Sequence, residues 1–438
     1  MASPFLTWQP KTGTPSSVVT AVRRLPSGYP SSWAVVTTSD KKSVLFLVSE
    51  EPSAETQATV SRKEPAKIVD AFFSANLWKI IVLYEDAALY FLEPSNGKIS
   101  KQTHPKYALG SGSIVSSFAM HPNGNLVAVG YTLDQSVPKK VRTKNKKQYA
   151  DYDEDEAFLY NIDLIDLRNP DVPIRTYEDL HSATVQSLHF CPTSPTILMT
   201  GGADGLVNWI DISVDDPEEG LLATNSVISP VNTVRFVGSD AEGRLLAACV
   251  TDDNKAEFYR IVQGKTAEEF DVEVAFKKDG GDANKFLVDI AGSGSEELPF
   301  VLVESTQEGK VLLKATSTDG RRFQVVGDFK DHRELVRCVC CEGPQRKVIT
   351  GDEAGCVVGR SLRGLAKAEV QEVEEEPEEM DVKEEEELEK IDVKSASGNK
   401  PKNALKKKPK MKKSVVKVGK VMKKKTKKVQ KKKKARVV

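Results

Sequence analysis

The chain has 438 residues, 39% of them hydrophobic and 29% charged, and its 63 Lys+Arg balance 63 Asp+Glu. No apolar run approaches the roughly 18–20 residues of a membrane span, and the first residues lack the basic and apolar regions of a secretory signal. Six cysteines are too few for a disulfide framework in a chain of this length, so a reducing compartment and no membrane partner are expected.

From the N-terminus to residue 365 the chain is dense in short apolar runs, many of them β-branched or aromatic, punctuated by Gly, Asp, Asn, Ser and Pro. Trp33–Thr37, Ser43–Val48, Lys79–Leu83, Ala88–Leu92, Leu126–Gly130, Ile197–Thr200 and Val301–Val303 are such runs, and helical periodicity is scarce. The pattern predicts an all-β body of short antiparallel strands. The clearest unit is 181–212. It reads as a strand at Val185–Phe190, a turn at Cys191–Pro195, a strand at Ile197–Thr200, a two-residue Asp204-Gly205 turn and a strand at Leu206–Ile212. The same order recurs over 16–49, 66–99, 113–168, 229–262, 284–315 and 332–362. First strands start near Val18, Ile68, Ile114, Val185, Val231, Phe286 and Val336. One step is longer than the rest and coincides with an insertion at 134–156. A period slightly above 40 residues with four strands per unit is the mark of a β-propeller.

These residues carry a family resemblance. His181, the string Val185, Leu188, Phe190 and Pro192, the turn Gly201-Gly202-Ala203-Asp204-Gly205 and the closing Ile210-Asp211 resemble one WD repeat. The closing pair departs from the family's Trp-Asp, with Trp209 one place early. Residues 118–130 followed by 160–170 resemble a second repeat split by the insertion, and 332–355 resemble a third. The resemblance implies a seven-bladed WD-repeat β-propeller over 1–365, its ring closed by an N-terminal strand at Phe5–Gln9, which includes Trp8. It also implies that His181, Ser187 and Asp204 form a buried structural hydrogen-bond network, since buried polar groups need partners. At His332 the positions of Ser187 and Asp204 hold Cys338 and Ala354, so the resemblance implies no network there.

A Ser, a His and an Asp together invite a catalytic reading. This Ser, however, lies on a strand beside its His and not on a nucleophile elbow. Cys338, Cys340 and Cys341 lack the paired C-x₂₋₄-C spacing of a zinc site. Strand alternation sends Cys338 and Cys340 to one face and Cys341 to the other, as core residues. No Gly-rich phosphate loop occurs. The expectation is therefore no catalytic site, no metal and no cofactor. Ile165-Asp166-Leu167-Arg168 resembles the Trp-Asp-x-Arg with which some WD-repeat proteins dock onto the cullin-4 ubiquitin-ligase adaptor, with Ile in place of Trp. An ordinary strand-end role for Asp166 and Arg168 is the competing reading.

The charge balance hides three regions. Residues 366–393 hold 14 acidic and 3 basic residues, and 394–438 hold 21 basic and no acidic ones, which leaves 39 basic and 49 acidic for 1–365. The insertion repeats the theme with a basic half (Lys139 to Lys147) and an acidic half (Asp151 to Glu156). A Glu-rich segment low in aromatics cannot build a core, so a disordered acidic linker at 366–393 and a disordered Lys-rich tail at 394–438 are expected. Lys406, Lys407, Lys408, Lys410, Lys412 and Lys413 form a nuclear-localisation pattern, and Lys423, Lys424 and Lys425 continue it. With no aromatics for base stacking, the tail is suited to salt-dependent phosphate contact. The expected function is a non-enzymatic scaffold, a monomeric propeller within a larger complex. It binds proteins through its faces and RNA (pre-rRNA) through its tail, in the nucleus or nucleolus during ribosome biogenesis. The alternatives are a cullin-4 substrate receptor and a histone or chromatin adaptor.

Overall fold

The computed structural model describes residues 4–9, 17–26, 32–40, 42–50, 56–62, 66–95, 98–103, 113–134, 158–262, 270–278, 284–293, 295–342, 347–361 and 371–372. Among the described residues there are strands and turns and no helix. The chain opens with β1 (Leu6–Trp8). Blade 1 follows as β2 (Val18–Arg24), β3 (Trp33–Thr38), β4 (Ser43–Val48) and β5 (Thr56–Val60), and blade 2 as β6 (Ile68–Ser74), β7 (Lys79–Tyr84), β8 (Leu89–Ser95) and β9 (Lys98–Thr103). Blade 3 is β10 (Ser113–Met120), β11 (Leu126–Asp134), β12 (Phe158–Asp166) and β13 (Arg175–Tyr177), and blade 4 is β14 (Val185–Phe190), β15 (Ile197–Gly202), β16 (Leu206–Asp211) and β17 (Leu221–Ser226). Blade 5 is β18 (Val231–Ser239), β19 (Leu245–Thr251), β20 (Ala256–Val262) and β21 (Asp271–Lys278), and blade 6 is β22 (Lys285–Gly292), β23 (Phe300–Thr306), β24 (Val311–Thr316) and β25 (Arg322–Phe329). Blade 7 has β26 (Val336–Glu342), β27 (Lys347–Asp352) and β28 (Val357–Ser361), and β29 (Gln371–Glu372) comes last.

Each blade is an antiparallel meander whose strands hydrogen-bond in chain order, with one exception. The fourth place in blade 7 is taken by β1, which pairs antiparallel with β28 (Leu6 opposite Gly359, Trp8 opposite Val357). β1 thus shares one sheet with β26, β27 and β28 and closes the ring. The inner strands pack on one another around the circle, β26 on β2 included. The fold is a seven-bladed β-propeller. Strand alternation supplies its core. Leu245, Ala247 and Cys249 of β19 face blade 4, whereas Leu246, Ala248 and Val250 face blade 6. A blade buried on both faces therefore needs apolar residues at every position, and β19 is buried throughout. Seven apolar clusters result, one between each pair of adjacent blades.

The turns between second and third strands repeat one geometry. Gly205, Gly309 and Gly355 have φ of +75, +76 and +80°, and Ala87 and Asn254 hold the same place at +62 and +68°. In each, this residue's N–H donates to the carbonyl three residues back. The turn in blade 4 has three residues between its strands, Ala203 to Gly205, and not two as expected. A type I turn closed by a left-handed residue is the three-residue solution.

Two residues of the expected acidic linker pair with a propeller sheet. Gln371 and Glu372 form a fifth strand on blade 6, opposite Phe323 and Arg322 of β25. The rest of the expected acidic linker, the Lys-rich tail and 135–156 of the insertion lie outside the described residues.

Candidate functional site

The polar residues singled out in blade 4 meet, with one correction. Asp204 on the turn receives His181 Nδ1 at 3.0 Å, and His181 Nε2 lies 2.8 Å from Thr200 Oγ1 on β15. Asn208 of β16 donates its amide to His181 Nε2 (3.3 Å) and to the Leu180 carbonyl (2.7 Å), while its Oδ1 accepts from the Thr224 hydroxyl (2.7 Å). A nitrogen that accepts from an amide carries no proton, so in the neutral ring Nδ1–H is the donor to Asp204. Burial works against the Asp204 carboxylate. The His181 ring and the N–H groups of Ser182 and Leu206 outweigh it and hold the carboxyl below its usual range. Ser187, expected in this network, is not in it. Its hydroxyl accepts the Val234 N–H of blade 5 at 3.1 Å. It sits just after a bulge on the innermost strand, whereas the hydroxyl beside the histidine comes from the second strand. The Ser187 oxygen ties two blades together and is not a nucleophile activated by His181.

Blade 7 carries a second network, contrary to the sequence reading. His332 Nδ1 is 3.0 Å from Asp352 Oδ2 and its Nε2 is 2.6 Å from Thr350 Oγ1. The His332 and Asp352 side chains are fully buried. Asp352 also accepts the Cys356 N–H at 2.7 Å. Thr350 matches Thr200, but Asp352 stands where blade 4 has Gly202. A Cβ at Gly202 would collide with His181 Nδ1 and Asp204 Oδ1. The two blades therefore deliver a carboxylate to one place from backbone positions two residues apart. Blade 4 keeps a glycine to leave room, and blade 7 fills that room and has Ala354 on the turn. His332, Asp352 and Cys356 also lie close enough together to hold a metal ion. Both nitrogens of His332 are already engaged, however, and burial pushes the Cys356 thiol up to about 11. Such a set is a folding device and a poor ligand trio.

The inner strands enclose a central cavity of about 460 Å³. Two clamps span its wall. Arg23 of blade 1 pairs with Asp70 of blade 2, and Arg235 of blade 5 pairs with Asp289 of blade 6 at 3.1 Å. Each aspartate follows a bulge and accepts the next residue's N–H (Ala71 at 2.7 Å, Ile290 at 2.8 Å). Each arginine also donates to the preceding carbonyl (Val22 at 3.1 Å, Val234 at 3.0 Å). Burial pushes the Asp70 carboxyl up, against the pull of Arg23. His189, between the clamps, accepts the Phe236 N–H through Nδ1 at 3.1 Å. Burial, with Arg235 and Arg23 adding to it, drops its pKa to about 3. No motif marks these residues in the sequence. The signal that was available is a charged residue among the apolar residues of a first strand.

Cys338 and Cys340 pack toward blade 1 and Cys341 toward blade 6, as alternation requires. Burial pushes the Cys338 thiol up to about 12 and Cys341 well above its usual range, so neither is a ready thiolate. Asp166 and Arg168 lie at the end of β12. Arg168 is 65% exposed and forks onto Asp166, with Nε 2.9 Å from Oδ1 and Nη2 2.5 Å from Oδ2. The contacts with Arg168, hydrogen bonding first, hold the Asp166 carboxyl below its usual range. Beside them Val172 and Ile174 are 67% and 60% exposed. The tail lysines from Lys406 to Lys425 lie outside the described residues.

Residues 172–211 match the family described as WD domain, G-beta repeat. The chain is also 35% identical over 116 residues to an uncharacterized WD repeat-containing protein of Schizosaccharomyces pombe. That match covers 25% of this chain and spans 35% of the relative's length. By repeat and by fold, the chain is similar to WD-repeat proteins. The matched unit begins before β13, the outer strand of blade 3, and ends with β16 of blade 4. Sequence unit and blade are thus offset by one strand. The matched repeat thus joins blades 3 and 4, as β1 joins the start of the chain to blade 7. WD propellers typically bind protein partners, and a protein-interaction scaffold is the coarse function that this likeness supports.

Proposed function

We propose that the protein is a non-enzymatic scaffold of the nucleus and nucleolus that serves ribosome biogenesis. Its propeller faces bind proteins and its Lys-rich tail binds pre-rRNA. The observation that carries this reading is the joining, in one chain, of a propeller whose blades pack through seven apolar clusters to a segment, 394–438, with 21 basic and no acidic residues. The ring leaves its loops for partners. The tail neutralises phosphates and releases counterions, so its RNA affinity falls steeply with salt. In its order of propeller, acidic run and basic tail the chain resembles, on this reading, WD repeat-containing protein 89.

Affinity purification of the full chain with and without ribonuclease tests the proposal. Pre-ribosomal proteins and rRNA are expected, with part of the set lost on ribonuclease treatment. Absence of both, or exclusion of the fluorescent fusion from the nucleolus, overturns it. A second reading rests on the exposed fork of Arg168 on Asp166, which suits docking onto the cullin-4 adaptor. That adaptor in the wild-type pull-down and its loss with Arg168→Ala support it, and its absence from the wild-type pull-down ends it. A histone or chromatin adaptor, suited to the acidic body, instead predicts chromatin fractionation that ribonuclease does not alter.

A further inference from the structure

The outer edge of blade 5 carries lysines that the sequence scatters. β21 is the last strand of its sheet, and its final residues Phe276, Lys277 and Lys278 separate two cavities. A larger one, of about 310 Å³, lies toward blade 6, lined by Phe276, both lysines, Lys314, Gly320 and Phe323 among others. The smaller, of about 120 Å³, lies toward the loop between blades 4 and 5, where Ile228 and Lys255 join the same two lysines. Ile228 is 97% exposed. Phe276 is stacked on Phe258 with ring centres 4.0 Å apart, and a Cβ on Gly320 would stand 2.7 Å from the Phe276 ring. That glycine lets the backbone close one wall of the larger cavity.

Charge is distributed unevenly across these lysines. Lys277 pairs with Glu257, directly opposite on β20. Lys314 pairs with Glu304 at 3.0 Å, and Lys255 with Asp253 at 3.2 Å. Among the described residues Lys278 forms no ion pair, although Glu304, which Lys314 holds, lies near enough to favour its charge. Burial, followed by the nearby Lys314, lowers its pKa. An ammonium that is partly desolvated and next to a like charge gains from an incoming anion.

We infer that the outer edge of β21 binds an extended peptide of a partner protein, with a carboxylate on Lys278 and apolar side chains on either side in the two cavities. Three features favour this ligand. Backbone groups along an open strand edge supply a ladder for an added strand. Blade 6 already accepts a short acidic strand at its own outer edge, where Glu372 lies opposite Arg322. Among the described residues, one lysine without an ion-pair partner stands beside the Phe276 and Phe323 rings and the exposed Ile228, which suits a single carboxylate flanked by apolar side chains better than a chain charged at every nucleotide. The inference rests on the reading of the propeller as a protein-binding scaffold and is independent of the tail and of RNA.

The test uses the full chain at physiological salt and an N-terminally labelled, C-terminally amidated octapeptide, Gly-Leu-Ser-Glu-Phe-Ser-Ser-Gly, whose Leu and Phe point to opposite faces of a strand, with a Gln-for-Glu version as control. Carbodiimide coupling joins a bound carboxylate to the lysine that holds it, and mass spectrometry locates the bond. Coupling at Lys278 is expected. It should disappear with the Gln peptide and resist an excess of polyuridine RNA. Affinity of Lys278→Gln should fall by about tenfold, with an unchanged melting temperature because no partner is stranded. Coupling confined to the tail lysines, equal affinity of the two peptides, or displacement from Lys278 by the RNA overturns the inference. None of these results alters the ribonuclease experiment, so failure here is distinguishable from failure of the scaffold reading.

Discussion

Replacing Asp352 with alanine removes the acceptor shared by His332 Nδ1 at 3.0 Å and the Cys356 N–H at 2.7 Å. Both donors lose their partner where the carboxylate was fully buried. A stranded buried donor costs about 1–3 kcal/mol, so the pair amounts to roughly 2–6 kcal/mol. An unfolding entropy of about 2.1 cal/mol/K per residue, taken over the unit from Met1 to Glu374, turns this into a melting-temperature loss of about 3–8 °C. Rescue is the sharper part. Blade 4 makes the same contact from Asp204 because Gly202 leaves the space open. The double substitution D352G/A354D recreates that arrangement in blade 7 and should recover most of the loss. D352A/A354D should not, because a Cβ at 352 occupies the place the carboxylate must enter. Differential scanning calorimetry of the three variants decides the matter. An unchanged melting temperature for D352A, or equal rescue by the two doubles, refutes the reasoning.

Other consequences follow from packing and burial. Trp8 is 3% exposed in the strand that completes blade 7, so Trp8→Ala should cost about 3–5 kcal/mol in urea unfolding. Deletion of residues 1–10 should lower the melting temperature of the whole body further. His189 stays neutral in the fold with a pKa of about 3 and takes up a proton on unfolding at any pH between that value and about 6.5. The unfolded state then binds more protons, so stability is fully present above about pH 6.5 and declines as pH falls. His189→Gln, which keeps an acceptor for the Phe236 N–H, should show a shallower decline between pH 7 and 4.5 in urea midpoints. Burial pushes the Cys249 thiol up to about 11 and Cys338 up to about 12. Iodoacetamide at pH 8 should therefore modify them only after denaturant is added, as peptide mass spectrometry would show.

Much of the architecture was legible because it is written in local pattern. Runs buried on both blade faces read as continuous apolar strands, and turns at one fixed place carry Gly, Asn or Ala in the left-handed region. The cysteine faces followed from alternation, and the closing strand at Trp8 from the family resemblance. The misreadings share one physical origin, which is that polar partners were assigned by counting positions. Ser187 lies on the inner strand and reaches another blade, so its count from His181 says nothing of its contact. Ala354 occupies the aligned place of Asp204, yet Asp352 supplies the carboxylate from two residues earlier.

By itself the amino-acid sequence determined the first three strands of each blade and their sevenfold recurrence, because strands buried on two faces read as continuous apolar runs between turn residues. It also determined the opposed charges of the acidic run and the tail. Tertiary structure alone decided which atoms meet. The Arg23–Asp70 and Arg235–Asp289 clamps join different blades, and so does the grouping of Lys277 and Lys278 with Lys314. Residues tens of positions apart become neighbours only when the blades pack. Hydrogen bonds and ion pairs act over a few ångströms and depend on where side chains end, and spacing along the chain does not encode that.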